Sequence, residues 1–194
     1  MNPVAIARRY TPQDLLTMPD GDRYELVDGA LVERNMSAWS SYVAGLIQTL
    51  LQSFCQAHQP GWVFPEGTSY QCFPRHPEKV RKADVSFFRL SRLTPQQAMT
   101  EGHLTLAPDL VVEVLSPSDL AYDVDEKVEE WLHGGVPLIW VVNPLTRTVR
   151  VYRADGSGTF LREQEEITGE AILPGFRCLI QRFFQPPAGV AANP

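Results

Sequence analysis

Apolar residues at Val43, Leu46, Ile47, Leu50, Leu51 and Phe54 recur every three or four positions, which predicts one amphipathic helix over about residues 39–58. Its apolar stripe needs a sheet to cover. Two nearly continuous apolar runs, residues 110–115 and 137–142, read as strands buried on both faces, the first ended by Ser116-Pro117-Ser118-Asp119. A second helix over about residues 123–133 lies between them, with Leu120, Val124, Val128 and Trp131 on one stripe, and stops at Gly134-Gly135. Shorter strands are expected at 62–64, 69–73 and 83–88, and residues 89–107 read as a loop with room for a helical turn. Near the start, Thr11-Pro12 caps a short helix closed by Pro19-Asp20-Gly21, and strands 24–27 and 30–33 flank Asp28-Gly29, the signal of a type I′ hairpin. Residues 148–152 pair antiparallel with 137–142. A polar hairpin at 155–158, a strand near 171–173 and a loose Pro- and Ala-rich tail complete the pattern. The fold class is α/β (α+β), with a mixed central β-sheet flanked by helices. One domain is expected over 1–185, with a flexible tail over 186–194.

At 194 residues, 44% apolar and 21% charged, the chain has the composition of an ordinary globular protein with a core of its own. Residues 1–9 lack the apolar segment of a signal peptide, and no stretch approaches the ~18 apolar residues of a membrane span. A cytoplasmic protein without a membrane partner is the expectation. Cys55, Cys72 and Cys178 are odd in number and far apart, which argues for reduced thiols rather than a disulfide framework or a structural zinc site. The histidines His58, His76, His103 and His133 show no i, i+4 pairing. A net charge of −6 disfavours bulk electrostatic binding of nucleic acid. Local charge is uneven, however. Arg75, Lys79, Arg81, Lys82, Arg89 and Arg92 face only Glu78 and Asp84 over residues 75–92, while Asp123, Asp125, Glu126, Glu129 and Glu130 crowd the second helix. This polarity either steers a polyanion or merely solvates two surfaces.

Three charges sit where a solvated surface does not place them. Asp84 lies in Ala83-Asp84-Val85-Ser86-Phe87-Phe88, Glu113 lies among valines in the 110–115 run, and Lys127 lies on the shoulder of the helical stripe. Two carboxylates on apolar strands with a lysine on the following helix make a Mg²⁺ cage for phosphodiester hydrolysis. Asp109 cannot partner Glu113, since four residues of strand separate their Cα atoms by ~13 Å, whereas two ligands of one Mg²⁺ each approach it to ~2.1 Å. Asp84, on a neighbouring strand, can. Against this stand plainer readings: Glu113 neutralised by buried donors, Asp84 at an exposed strand end, and Lys127 snorkelling along the core edge.

The segments Arg23-Tyr24-Glu25-Leu26-Val27-Asp28-Gly29, Arg81-Lys82-Ala83-Asp84-Val85, Pro108-Asp109-Leu110-Val111-Val112-Glu113-Val114-Leu115-Ser116-Pro117-Ser118, and residues 127–137 resemble the Uma-two family within the PD-(D/E)XK nuclease superfamily. The resemblance covers roughly residues 11–152. It implies a restriction-endonuclease-like core, Asp84 and Glu113 as metal-binding carboxylates, the Val114 carbonyl as a further ligand, and Lys127 as the catalytic lysine. The superfamily usually carries that lysine two residues after the acid, where Leu115 stands here. Glu25 matches an acid of the family's first motif and would hold a second metal or a water, the alternative being an exposed hairpin acid. Ala83 replaces a common proline, and Ser37-Ala38-Trp39-Ser40-Ser41 lacks a histidine many relatives have at the start of the long helix. The expected activity is a Mg²⁺-dependent endonuclease, with Mn²⁺ as a substitute, acting on DNA as a possible homodimer. The alternatives are a catalytically silent DNA-binding or assembly module of the same fold, and a metal-dependent hydrolase of small phosphate esters.

Overall fold

Both central residues of Asp28-Gly29 take positive φ, 50° and 82°, as a type I′ turn requires. They join β1 (Tyr24–Val27) to β2 (Ala30–Glu33), with Val27 opposite Ala30. The computed structural model describes residues 8–99 and 102–187. Ahead of the hairpin, α1 (Pro12–Thr17) begins in a capping box in which Thr11 and Asp14 satisfy each other's backbone N–H. After it comes α2 (Ala38–His58), capped by the Ser37 side chain.

The chain then runs through β3 (Gly61–Pro65), β4 (Ser69–Tyr70), β5 (Arg81–Lys82), β6 (Val85–Arg89), α3 (Pro95–Ala98), β7 (Leu110–Val114), α4 (Ala121–His133) and β8 (Leu138–Asn143). It ends with β9 (Thr148–Arg153), β10 (Gly158–Arg162), β11 (Glu166–Gly169), β12 (Leu173–Leu179) and a 3₁₀ turn over Ile180–Phe184. Six strands form the central sheet in the order β10-β9-β8-β7-β6-β3. Only the β7–β8 pair is parallel, as its connection through α4 demands. The mixed sheet is therefore antiparallel apart from one crossover.

Side chains alternate across that sheet. Val85, Phe87, Leu110, Val112, Val114 and Trp140 pack with Val43, Ile47 and Leu51 of α2. Phe88, Val111, Ile139 and Val141 pack with Val128 and Trp131 of α4. Period-two alternation thus places Glu113 on the α4 face beside Val111.

Several expected boundaries shift. The strand expected over 83–88 is broken at Ala83-Asp84, because the chain changes partners there: β5 pairs with β4, while β6 pairs with β3 and β7. The strand expected over 69–73 shrinks to Ser69–Tyr70. Leu120 is not part of the buried stripe but the half-exposed N-cap residue of α4. Near the C-terminus, a left-handed Glu170 (φ 51°) makes a turn, so the strand expected near 171–173 begins at Leu173 instead. The expected loose tail beyond Pro187 lies outside the described residues.

Candidate active site

The break between β5 and β6 leaves Asp84 beside the end of β7. Its N–H donates to the Val112 carbonyl at 3.2 Å, and its Oδ2 accepts from the Val114 N–H at 2.6 Å. Its Oδ1 accepts from Nη2 of Arg34, a residue just after β2. Asp84 is buried, so it is not an exposed strand end.

Glu113 meets two donors of α4. Oε1 accepts from Trp131 Nε1 at 2.8 Å and Oε2 from Lys127 Nζ at 2.9 Å. The two donors are four residues apart and so share one face of the helix. Lys127 Nζ also lies 3.1 Å from the Lys82 carbonyl and 3.1 Å from Glu25 Oε1. Of the three protons of its ammonium, two go to Glu113 and the Lys82 carbonyl, and Glu25 adds an ion pair. This lysine is fixed rather than snorkelling.

Glu25 is only 3% exposed, which overturns its reading as an exposed hairpin acid. Its Oε1 accepts from the Lys82 N–H at 2.8 Å and its Oε2 from Arg81 Nη1 at 2.9 Å. Behind it, Arg81 Nε donates to Glu130 Oε2 at 2.6 Å, and Lys79 donates to Glu130 Oε1. Asp84, Glu113, Glu25 and Lys127 therefore belong to one buried network of alternating charge. Asp109 is elsewhere, receiving Arg89 and Arg92.

Burial pushes Glu113 up to about 7, against the pull of Lys127 and with the negative charges of Asp84 and Glu25 adding to the rise. Asp84 is also raised, because burial outweighs Arg34 and Lys127. Glu25 goes the other way. Burial opposes its ionisation, yet Lys127, Arg81, Arg34 and the Lys82 N–H together bring it down to about 2. For Lys127 burial acts downward, but Glu113 and Glu25 win and hold it protonated.

These groups line a cavity of about 350 Å³ between β2, β7 and α4, with six acidic and three basic side chains. Sequence patterning missed Arg34, Arg81, Glu130 and the indole of Trp131. Three of the six cations over 75–92 also fit neither the steering nor the solvated-surface reading. Lys79, Arg81 and Lys82 are buried and spent on Glu130, Glu25 and the Asp22 carbonyl, so they offer no steering surface. Charge spacing alone does not show which cations have internal partners.

Among the described residues, no group of three or more His, Cys, Asp or Glu side chains is arranged to hold a metal. A Mg²⁺ ion, however, commonly takes only one or two carboxylates and keeps several waters. Each carboxylate has about four lone-pair sites, and the hydrogen bonds to Asp84 and Glu113 use two on each. Two carboxylates, Asp84 at the break between β5 and β6 and Glu113 on β7, therefore keep lone pairs open to a divalent cation.

Trp131→Phe, which removes the indole donor, is expected to cost about 1–3 kcal/mol at pH 8, where Glu113 is ionised, and less at pH 5. Denaturant melts of both proteins at the two pH values check this. An equal loss at both would show that Trp131 contributes only packing against Tyr70 and Phe73.

A crystal structure of a "putative nuclease" of the DUF820 group from Anabaena variabilis has the same fold, with a TM-score of 0.74 and 20% identity over 90% of this chain and 97% of that one. No curated protein matches the chain. Residues 12–181 match the Uma2 family, described as "Putative restriction endonuclease", a match that runs beyond the motif-bearing segments through β9 and on to β12. The chain belongs to the Uma2 family.

Proposed function

We propose that the protein is an endonuclease that hydrolyses phosphodiester bonds of DNA with a divalent cation, Mg²⁺ or in its place Mn²⁺, held by Asp84 and Glu113. The carrying observation is the pair of buried carboxylates, one from the β5–β6 break and one from β7, with Lys127 locked onto the latter. The family description, "Putative restriction endonuclease", supports the reaction class. In a strand, the N–H and C=O of one residue point to the same side, so the Val114 N–H on Asp84 supports its carbonyl as a third ligand on that side. A cation bound there supplies an activated water and charge neutralisation at the phosphoryl group.

The chain's own residues account for the remaining chemistry. Lys127 is held protonated, so it acts as a charge and a hydrogen-bond donor toward negative charge developing on phosphate, not as a base. Glu25 stays ionised and anchors Lys127. If Glu25 held a second cation instead, it would have to give up Arg81 or Lys127. Six acids on the cavity wall make entry of a polyanion depend on the cation.

One observation favours a second reading, the catalytically silent module: every oxygen of Asp84 and Glu113 already has a donor within the chain. Incubation of DNA with the protein and Mg²⁺ or Mn²⁺ separates the two. Cleavage by wild type is expected to fall by about 10²-fold or more in Asp84→Asn and in Lys127→Ala. Binding of DNA without cleavage by wild type would establish the silent module instead.

A further inference from the structure

Arg34 is the cation of the cavity that the proposed reaction leaves without a task. Its side chain is 12% exposed and meets three carboxylates. Nη2 donates to Asp84 Oδ1, Nε lies 3.9 Å from Glu25 Oε1, and Nη1 lies 3.5 Å from Glu66 Oε1. Asp84 Oδ2 is spent on the Val114 N–H, so Arg34 sits on the other oxygen of the carboxylate. A guanidinium and a divalent cation that share one buried carboxylate repel each other strongly in so poorly screened a place.

Arg34 and Lys127 differ in their freedom to leave. Lys127 is enclosed by Glu113, Glu25 and the Lys82 carbonyl. Arg34 has a second partner at the rim, since the Glu66 side chain is 44% exposed. It can release Asp84 without leaving its own charge unpaired. Its contact with Asp84 also has a reason, because a buried carboxylate with no counter-charge is strongly destabilising. Before any cation arrives, something must neutralise Asp84.

We propose that Arg34 is the resident counter-ion of the cation position: it neutralises Asp84 in the cation-free protein, gives up Oδ1 when the divalent cation binds, and so weakens the protein's affinity for that cation. The inference rests on the metal-dependent reading above. It turns Arg34 into a positioning residue whose effect is on cation binding first and on turnover only as a consequence.

Titration calorimetry with Mn²⁺ alone, on wild type, Arg34→Met and Arg34→Lys, tests it without reference to activity. Arg34→Met is expected to bind Mn²⁺ about tenfold more tightly or better than wild type, while Arg34→Lys, which keeps the charge, stays near wild type. Equal or weaker binding by Arg34→Met, beside clear binding by wild type, would overturn the proposal and leave the metal-dependent reading standing. Should Arg34→Met fail to fold, a Ca²⁺-soaked crystal of wild type decides. Arg34 is expected off Asp84, and a guanidinium still bonded to Oδ1 beside the ion would refute the inference. Absence of Mn²⁺ binding in wild type and Arg34→Met alike would remove the metal-dependent reading itself, and this inference with it.

Discussion

Lys127→Met is expected to lower the stability of the cation-free protein by about 3–5 kcal/mol near pH 8, because it strips a buried cation from two buried carboxylates and leaves that of Glu113 uncompensated. For a chain of this size the loss corresponds to a fall in Tm of roughly 10 °C. Methionine keeps most of the apolar stem, so the deficit belongs to the charge. Lys127 bonds Glu113 and lies 3.1 Å from Glu25 Oε1, whereas Glu25 keeps Arg81 and the Lys82 N–H when the lysine is gone. Glu113 keeps only Trp131. The cost should therefore concentrate on Glu113, and Lys127→Met/Glu113→Gln should be more stable than the sum of the two single losses by about 1–3 kcal/mol. Urea unfolding of the four proteins measures that coupling. Strict additivity would mean that the two side chains do not stabilise one another.

The second large effect is on pH. Glu113 is raised from 4.5 to about 7, so the folded protein holds a proton there that the unfolded chain has released. Its contribution to stability is fully present below pH 4.5 and is lost as pH rises to about 7, a fall of about 3 kcal/mol. Glu25 has the opposite sign. With its pKa lowered from 4.5 to about 2, its contribution is present above 4.5 and is lost as pH falls toward 2. The metal-free protein should therefore be most stable near the lower end of the window from 4.5 to 7, well below neutrality. Thermal melts from pH 4 to 8 in EDTA should show the fall, and excess Mg²⁺ should flatten its upper limb by binding the ionised carboxylates. Glu113→Gln should remove the part of the fall centred toward pH 7, leaving the share of Asp84, which burial also raises. A Gln variant with the wild-type slope would place the titration elsewhere.

Local chemistry made much of this fold readable in advance. The turn at Asp28-Gly29, the cap at Thr11, the α2 stripe and the two central strands each follow from neighbouring residues, and each forms. Asp84, Glu113 and Lys127 stood out for a related reason, since a charge inside an apolar run is locally anomalous. Their partners carry no such mark. Arg34 reaches Asp84 across 50 positions, Arg81 reaches Glu25 across 56, and Arg81 reaches Glu130 across 49. Nothing around Arg81 or Lys79 distinguishes a buried cation from one on a wet loop. The terminal strands were obscure for the opposite reason: β10 keeps four of its five residues exposed, so no apolar alternation announces it.

The bond from the Trp131 indole to Glu113 ties the central sheet to α4 through the same acid to which the proposed reaction assigns the cation. On that proposal, selection for a firm fold and selection for turnover press on the same side chain. A descendant that abandons the reaction cannot shed Glu113 or Lys127 alone without a stability penalty, whereas it can shed them together. Paired replacement of acid and lysine by neutral residues is the evolutionary signature that this architecture predicts for relatives without the proposed reaction.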